Sequence, residues 1–320
     1  KQPVGRVIYF DGPESTYLFN NFTGLLRVKN QAVWLPRYVF YSLFHNYRKG
    51  GTRPFESKTT GLHNLKTDDY ISRYEVLEAP ISEQQSICKQ LDYVYDIIKT
   101  RQQQLQKLDE LVKARFVELF GDPISNPMNW NKRTLKEVCT KLNDGTHFSP
   151  ESFSMGDYKY ITAKNIKASG FDFSNITYVP EAVHRPIFER CNPEQGDVLY
   201  IKDGATTGIA IVNTLKEEFT LLSSVALLKQ NRNVINGYFL AALLNNADMY
   251  SDIRNNMGGA AITRLTIAKL NAVKVIVPPL DLQNRFAAFV EQVDKSKVAV
   301  QKSLDEAQLL FDSLMQQYFG

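Results

Sequence analysis

The segment Ala79-Pro80-Ile81-Ser82-Glu83-Gln84-Gln85 returns as Pro278-Pro279-Leu280-Asp281-Leu282-Gln283-Asn284, each residue 199 positions later. Each copy then runs without a gap to an aromatic-glycine end, Phe120-Gly121 and Phe319-Gly320. Solenoid units recur every 20 to 50 residues or so, and a repeat this long is instead a duplicated module. Two similar modules on one chain suit a target that itself has two halves.

Apolar residues inside each copy alternate at intervals of four and three. The first register is Ile87, Leu91, Val94, Ile98, Arg101, Leu105, Leu108, Val112, Arg115, Leu119. The second is Phe286, Val290, Val293, Lys297, Val300, Leu304, Ala307, Phe311, Leu314, Tyr318. This is the seam of a coiled coil on a long helix. Glu83, Gln84, Gln85, Lys107, Glu110 and Asp305 fall off the stripe, as a solvated face requires. Pro80 and Pro279 lie just ahead of the helices, and Ser82 and Asp281 are the expected N-caps. Neither helix has much to bury its stripe on except the other. The alternative, two amphipathic helices each packed on its own domain, sits poorly with a length of roughly 35 residues.

A weaker repeat lies upstream of each helix. Residues 5–9 line up with Gly208–Val212, 23–29 with Ser223–Lys229, and the short helix 39–43 with 238–242. Residues 122–207 have no counterpart in the first module. Residues 1 to about 80 therefore read as the back half of a domain whose front half is not in the sequence, and a strand-rich fragment cut in its middle is expected to be unstable alone.

At 320 residues the chain suits about two domains, and a 43% apolar content provides real cores. Cys88, Cys139 and Cys191 are odd in number and lack CxxC spacing, which speaks against a disulfide framework or a structural zinc site. The expected compartment is the reducing cytoplasm. No apolar run approaches the roughly 18 residues that span a bilayer, and no membrane association is expected.

The net charge of +4 decides little, so local clusters matter more. Arg48-Lys49-Gly50-Gly51-Thr52-Arg53 combines three cations with two glycines, and Arg254-Asn255-Asn256-Met257-Gly258-Gly259 stands at the corresponding place, ending at Thr263-Arg264. Glycines let backbone N–H groups approach an anion, and Arg pairs with phosphate or guanine edges. A solvated glycine turn is an equally good reading of either loop alone, and recurrence in both modules favours the functional one. Asn143-Asp144-Gly145-Thr146-His147 carries a turn signal. The strand-like 158–162 leads into Ala163-Lys164-Asn165-Ile166-Lys167. A second strand over 196–202 leads into Asp203-Gly204-Ala205-Thr206-Thr207-Gly208, a phosphate cradle or a plain hairpin turn, and not a Walker motif.

Catalytic signatures do not emerge. His45, His63, His147 and His184 are scattered without HExxH or a Cys/His cluster, and there is no GxSxG elbow and no GxGxxG after a strand. The pattern favours recognition over chemistry.

The combination of ITAKNIK (161–167), GDVLYIKDGATTG (196–208), SSVALLK (223–229) and GGAAITRLTIAKLNAVKVIVPPLDLQNRF (258–286), followed by a long helix and duplicated, resembles the specificity subunit of type I restriction-modification systems. The resemblance covers residues 122–320 and, through GLHNLKTDDYISRYEVLEAPISEQQ (61–85), part of 1–121. It implies an α+β fold of mixed, strand-rich target recognition domains joined by long helices that pair as an antiparallel coiled coil. It also implies a non-catalytic subunit that reads a bipartite double-stranded DNA target. Such a subunit docks methylation subunits, which supply S-adenosylmethionine chemistry, and through them motor-nuclease subunits, while no cofactor binds this chain. A 35-residue helix is roughly 50 Å long and a DNA turn about 34 Å, so such a pair can act as a ruler. Competing readings are a coiled-coil scaffold that binds only protein, and a fragment of a fused enzyme, which would need an Asn-Pro-Pro-Tyr-type motif that this sequence lacks.

The expected division is a partial recognition domain (1–79), a helix (80–121), a complete recognition domain (122–278) and a second helix (279–320). DNA contacts are expected at Thr146, His147, Lys159, Lys164, Asn165, Lys202, Thr206, Thr207 and Arg264, and in the partial domain at Arg48, Lys49, Arg53 and Lys58. The cations would hold phosphates, while Asn165, Thr207 and Arg264 would read base edges.

Overall fold

The computed structural model describes residues 4–13, 17–59, 62–255 and 265–320, with backbone alone at 58, 59 and 62. In chain order the elements begin with helix α1 (Pro36–Arg48), strands β1 (Glu56–Thr59) and β2 (Leu62–Leu65), helix α2 (Thr67–Arg73) and the long helix α3 (Ile81–Phe120). Next come β3 (Asn131–Thr134), α4 (Leu135–Val138), β4 (Cys139–Asp144), β5 (Tyr158–Ile161), β6 (Ile166–Lys167), β7 (Gly170–Phe171), β8 (Thr177–Val179), α5 (Glu181–Arg190) and β9 (Val198–Ile201). The chain continues through β10 (Ala210–Val212), β11 (Phe219–Leu221), β12 (Val225–Gln230), α6 (Gly237–Leu244), α7 (Ala247–Asn255), α8 (Ile267–Ala272), β13 (Lys274–Val277) and the second long helix, α9 (Leu280–Phe319). The fold is α+β, as expected. Two units emerge, one of residues 1–106 with 297–320 and one of 107–296, so each takes part of both long helices.

In the first unit the opening turns of α3 and the closing turns of α9 share one core. Ile87, Leu91, Val94 and Ile98 bury together with Ala307, Phe311, Met315 and, from α1, Tyr38 and Tyr41. In the second unit the opposite ends meet, as Phe116 and Phe120 of α3 join Phe286 and Val290 of α9. Within each unit, therefore, the start of one long helix lies with the end of the other, the antiparallel arrangement expected of the seam. Leu105, Leu108, Val112, Val300, Leu304 and Leu314 are half-buried, and Val293 is buried.

The seam departs from the expected register toward the C-terminal end of each helix. Phe116 and Phe120 are buried in place of Arg115 and Leu119, and Met315 in place of Leu314. An α-helix turns once in 3.6 residues, so a stripe written at 3.5 drifts by about 20° per heptad. Over the four heptads from Ile87 to Arg115, or from Phe286 to Leu314, that reaches about 80°, close to the 100° of one residue. Leu91 needs no such correction because it lies at the start.

Two further expectations fail at the helix starts. Pro80 and Pro279 are the flanking residues, their carbonyls accepting the first helical bonds (Gln84 N to Pro80 O, 2.9 Å; Gln283 N to Pro279 O, 3.2 Å), which leaves Ser82 and Asp281 inside the first turn rather than capping it. Gln84 is also not on a solvated face. It is fully buried, as is Gln283, and each amide joins its long helix to the short helix packed on it. Gln84 Nε2 donates to Val33 O and Ala79 O at 2.8 Å, while its Oε1 accepts from Leu35 N at 2.9 Å. Gln283 repeats this with Val234 O (3.2 Å), Pro278 O (2.8 Å) and Asn236 N (2.9 Å). These clamps equate Leu35 with Asn236, shifting the expected pairing of the short helices by two residues. Tyr38 then corresponds to Phe239, and each packs at an angle against the terminal aromatic of a long helix, Tyr38 tilted on Phe319 (5.1 Å) and Phe239 edge-on to Phe120 (4.7 Å).

The first unit has the two-stranded antiparallel sheet β1–β2, and the larger sheets lie in the second unit. β10, β9, β12 and β4 form an antiparallel sheet in that order, and β5 runs parallel to β11 and antiparallel to β8. Leu199, Ile201, Leu221, Val225 and Leu227 bury between them. The segments 5–9 and 23–29 align with Gly208–Val212 and Ser223–Lys229 in sequence but do not form the strands that the second copy forms. The described part of 4–35 contains no strand, and Ile8, Phe10, Leu18, Phe22 and Leu25 are exposed. β12 is held between β9 and β4, and 23–29 has no comparable partner among the described residues.

Candidate nucleic-acid interface

Four connections of the second unit are laced together at one end of its sheets. Thr146 N donates to Leu221 O and Ser223 N to Thr146 O, both at 2.8 Å, which ties the segment after β4 to the β11–β12 connection. Ala163 N reaches Ser224 Oγ (3.2 Å) and Lys202 N reaches Ser224 O (2.9 Å), adding the segment after β5 and the β9–β10 hairpin. Gly145 permits this approach, because a Cβ there would lie 1.9 Å from Leu221 O. The Asp144-Gly145 pair, expected to signal a turn, thus ends a strand and admits a neighbouring backbone. The 203–208 loop is a hairpin connection between β9 and β10, with Gly204 and Gly208 at φ of 103° and 111°.

One carboxylate organises the charges. Asp144 is 3% exposed, and His147 Nε2 (3.1 Å), Lys202 Nζ (3.4 Å) and Arg190 Nη1 (3.6 Å) surround it. Lys202 also pairs with Asp203 at 2.7 Å, and Arg190 Nη2 donates to Gly145 O. A depression of about 440 Å³ opens beside this group, walled by Thr146, His147 and Phe148 and by Ala182, Val183, Pro186, Ile187 and Arg190 of α5.

The expected contact residues divide by burial. His147, Lys164 and Thr206 are exposed at the laced end. Thr146, Asn165, Lys202 and Thr207 lie there too but are buried and used internally. Asn165 Oδ1 accepts from Thr162 N (3.0 Å) and Thr162 Oγ1 (3.1 Å), its Nδ2 donates to Asp172 O (3.3 Å), and Thr207 Oγ1 donates to Gly204 O (2.7 Å). Lys159 is drawn elsewhere. It pairs with Glu217 at 2.7 Å and helps line a second depression of about 350 Å³ with Asp157, Tyr158, Arg185 and Glu218. Beneath it, buried His184 stacks flat on Tyr158 at 3.7 Å and bonds Thr220 Oγ1 (2.8 Å) and Glu218 Oε2 (3.2 Å). Burial, partly offset by Glu218, pushes the His184 imidazole below its ordinary range.

In the first unit, Arg48 pairs with Asp312 of α9 and lies over Phe44 at 5.8 Å, which makes it a packing anchor. Lys49 and Arg53 are exposed around Gly50, whose φ is 79°. Lys58 lies on β1 opposite His63, and its side chain is outside the description. Arg264, with the whole of 256–264, is outside the described residues. Asp144, Arg190, Ser223 and Ser224 were not among the expected site residues. No local pattern links Arg190 to Asp144, which are far apart in the chain and meet only through packing.

Among the described residues no helix is long and apolar enough to cross a membrane, and no group of three or more His, Cys, Asp or Glu is placed to hold a metal. The family described as the type I restriction modification DNA specificity domain matches residues 127–308. A putative type I restriction enzyme MjaX specificity subunit from Methanocaldococcus jannaschii is 20% identical over 307 residues, covering 92% of this chain and 69% of that protein. The type I restriction enzyme MjaIX specificity subunit of the same organism is 20% identical over 250 residues, covering 73% of this chain and 57% of that protein. The crystal structure of a type I restriction-modification S subunit from M. genitalium shares the fold, with a TM-score of 0.58 at 17% identity over 91% of this chain and 74% of that one. A chain from a study of complex assembly and conformational transition of the type I system gives a TM-score of 0.51 at 19% identity, over 91% and 72%.

Proposed function

Because the chain belongs to the type I restriction modification DNA specificity family, we propose that the laced end of its second unit is the surface that reads one half of a bipartite duplex target. The observation that carries this reading is the convergence of four connections, from distant parts of the matched region, on one end of the sheets with His147, Lys164 and Thr206 outward. The chain selects DNA and catalyses nothing. Lys164 holds a phosphate, while Thr206 and His147, with Arg190 beside them, face base edges or backbone. Thr146, Asn165, Lys202 and Thr207 set the loop paths from beneath rather than touching DNA. Lys49 and Arg53 offer the corresponding cations of the first unit, which reads or grips the other half.

The division into recognition parts (1–79 and 122–278) and helices (80–121 and 279–320) belongs to the same proposal. So do its partners: methylation subunits that carry S-adenosylmethionine and, through them, motor-nuclease subunits, acting in the cytoplasm. The test is binding of the chain, with and without its methylation subunit, to a randomised duplex library followed by sequencing of the bound fraction. A split motif is expected. A single short half-site would confine reading to the second unit, and no enrichment in either condition would sink the proposal in favour of a protein-binding scaffold.

A further inference from the structure

The Asp144 carboxylate sits at the end of the unit that the preceding reading turns toward DNA, and a negative charge there repels phosphate. An amide of the same shape would avoid that repulsion. The charge is not required to neutralise Lys202, because Asp203 already holds that ammonium at 2.7 Å. What remains for Asp144 is the pair of side chains from two other segments, Arg190 at the end of α5 and His147 in the loop after β4. Their side chains are 43% and 66% exposed, while that of Asp144 is 5% exposed, so a buried anchor restrains two outward groups. Arg190 is held at a second point by Gly145 O, and Gly145 is fixed by its approach to Leu221. The guanidinium is therefore oriented by one hydrogen bond, to Gly145 O, and one ion pair, with Asp144, on one short stretch of chain, so its direction is set before a partner arrives.

We propose that Asp144 is a positioning residue for target discrimination: it fixes the Arg190 guanidinium and the His147 imidazole for base reading, at the expense of sequence-independent affinity. The inference rests on the assignment of this end of the unit as the DNA surface. Its signature is an opposite movement of two quantities. Asp144→Asn removes one negative charge, so binding to random duplex should strengthen and its log–log salt slope should not flatten. Preference for the target should meanwhile fall by roughly 5- to 150-fold, the discrimination carried by one good bidentate contact. Damage to folding would lower both affinities together.

The experiment measures binding of the chain, in complex with its methylation subunit, to the duplex enriched by the wild type and to a randomised duplex, over a range of salt. Asp144→Asn is compared with Arg190→Lys, which keeps the charge but loses the fork, and with Lys164→Ala. The expected result is tighter random binding with lost preference for Asp144→Asn, and lost preference at unchanged random binding for Arg190→Lys. A target-to-random ratio held within about twofold of wild type in Asp144→Asn, while Lys164→Ala flattens the salt slope by about one, would overturn the positioning role and leave the DNA surface standing. A salt slope untouched by Lys164→Ala, with Asp144→Asn also silent, would overturn both.

Discussion

The two junctions between a short helix and a long helix are built from the same parts, yet the regions beside them differ sharply. Gln84 and Gln283 make the same three kinds of bond, and Tyr38 and Phe239 each meet a terminal aromatic. Beside the second junction two sheets close over an apolar core. Beside the first, Ile8, Phe10 and Leu18 stand exposed. The joint is thus the same in both units although what lies beside it differs. Helix seating rests on a few buried bonds that do not depend on the neighbouring sheets.

The largest test of the likeness is aromatic. Phe120→Ala should cost about 3–5 kcal/mol, as truncation of a fully buried Phe does, and Phe319→Ala less, because Phe319 is half-buried. Equilibrium unfolding measures both, and equal losses would erase the distinction between the two ends. Next come the clamps. Gln84→Ala and Gln283→Ala each orphan backbone groups at roughly 1–3 kcal/mol apiece, and the two losses should agree. A silent Gln84→Ala would show that the first junction only imitates the second.

At the proposed DNA surfaces, Lys164→Ala and Lys49→Ala should each flatten the salt slope of binding by about one. An effect from the first alone would confine phosphate gripping to the second unit. The smallest effect is on pH. Burial lowers the affinity of His184 for protons and, together with Lys49 and Arg48, that of His45. Below about pH 6.5 the unfolded chain takes up protons that the folded one resists, so both units should lose stability as pH falls. His184→Gln should weaken that dependence in a thermal melt read from pH 7.5 to 5.5, and a variant melting with the wild-type pH slope would contradict it.

How much of this was legible in the sequence follows from the range of the forces involved. The long helices were, because seam periodicity is local, and their one-residue drift came from the mismatch between 3.5 and 3.6. The site was visible only as loops. Lys202, Asn165 and Thr207 have the chemistry of DNA contacts, and nothing local distinguishes them from Lys164 and Thr206. Burial decides, and it depends on partners such as Asp144 and Asp172 that the fold brings up. Gln84 misled for the same reason, since a polar residue off the stripe is normally wet, and only the short helix arriving across the chain makes it a joint.

The seating of the long helices also limits which side chain can occupy those two positions. Two carbonyls demand a donor and one N–H demands an acceptor, all beneath the surface. Glu ordinarily supplies acceptors alone, Lys donors alone, and Asn stops one methylene short. A primary amide on a two-carbon tether is the one genetically encoded group that meets all three demands. Positions 84 and 283 should therefore be among the least negotiable in the chain, although both side chains are wholly buried.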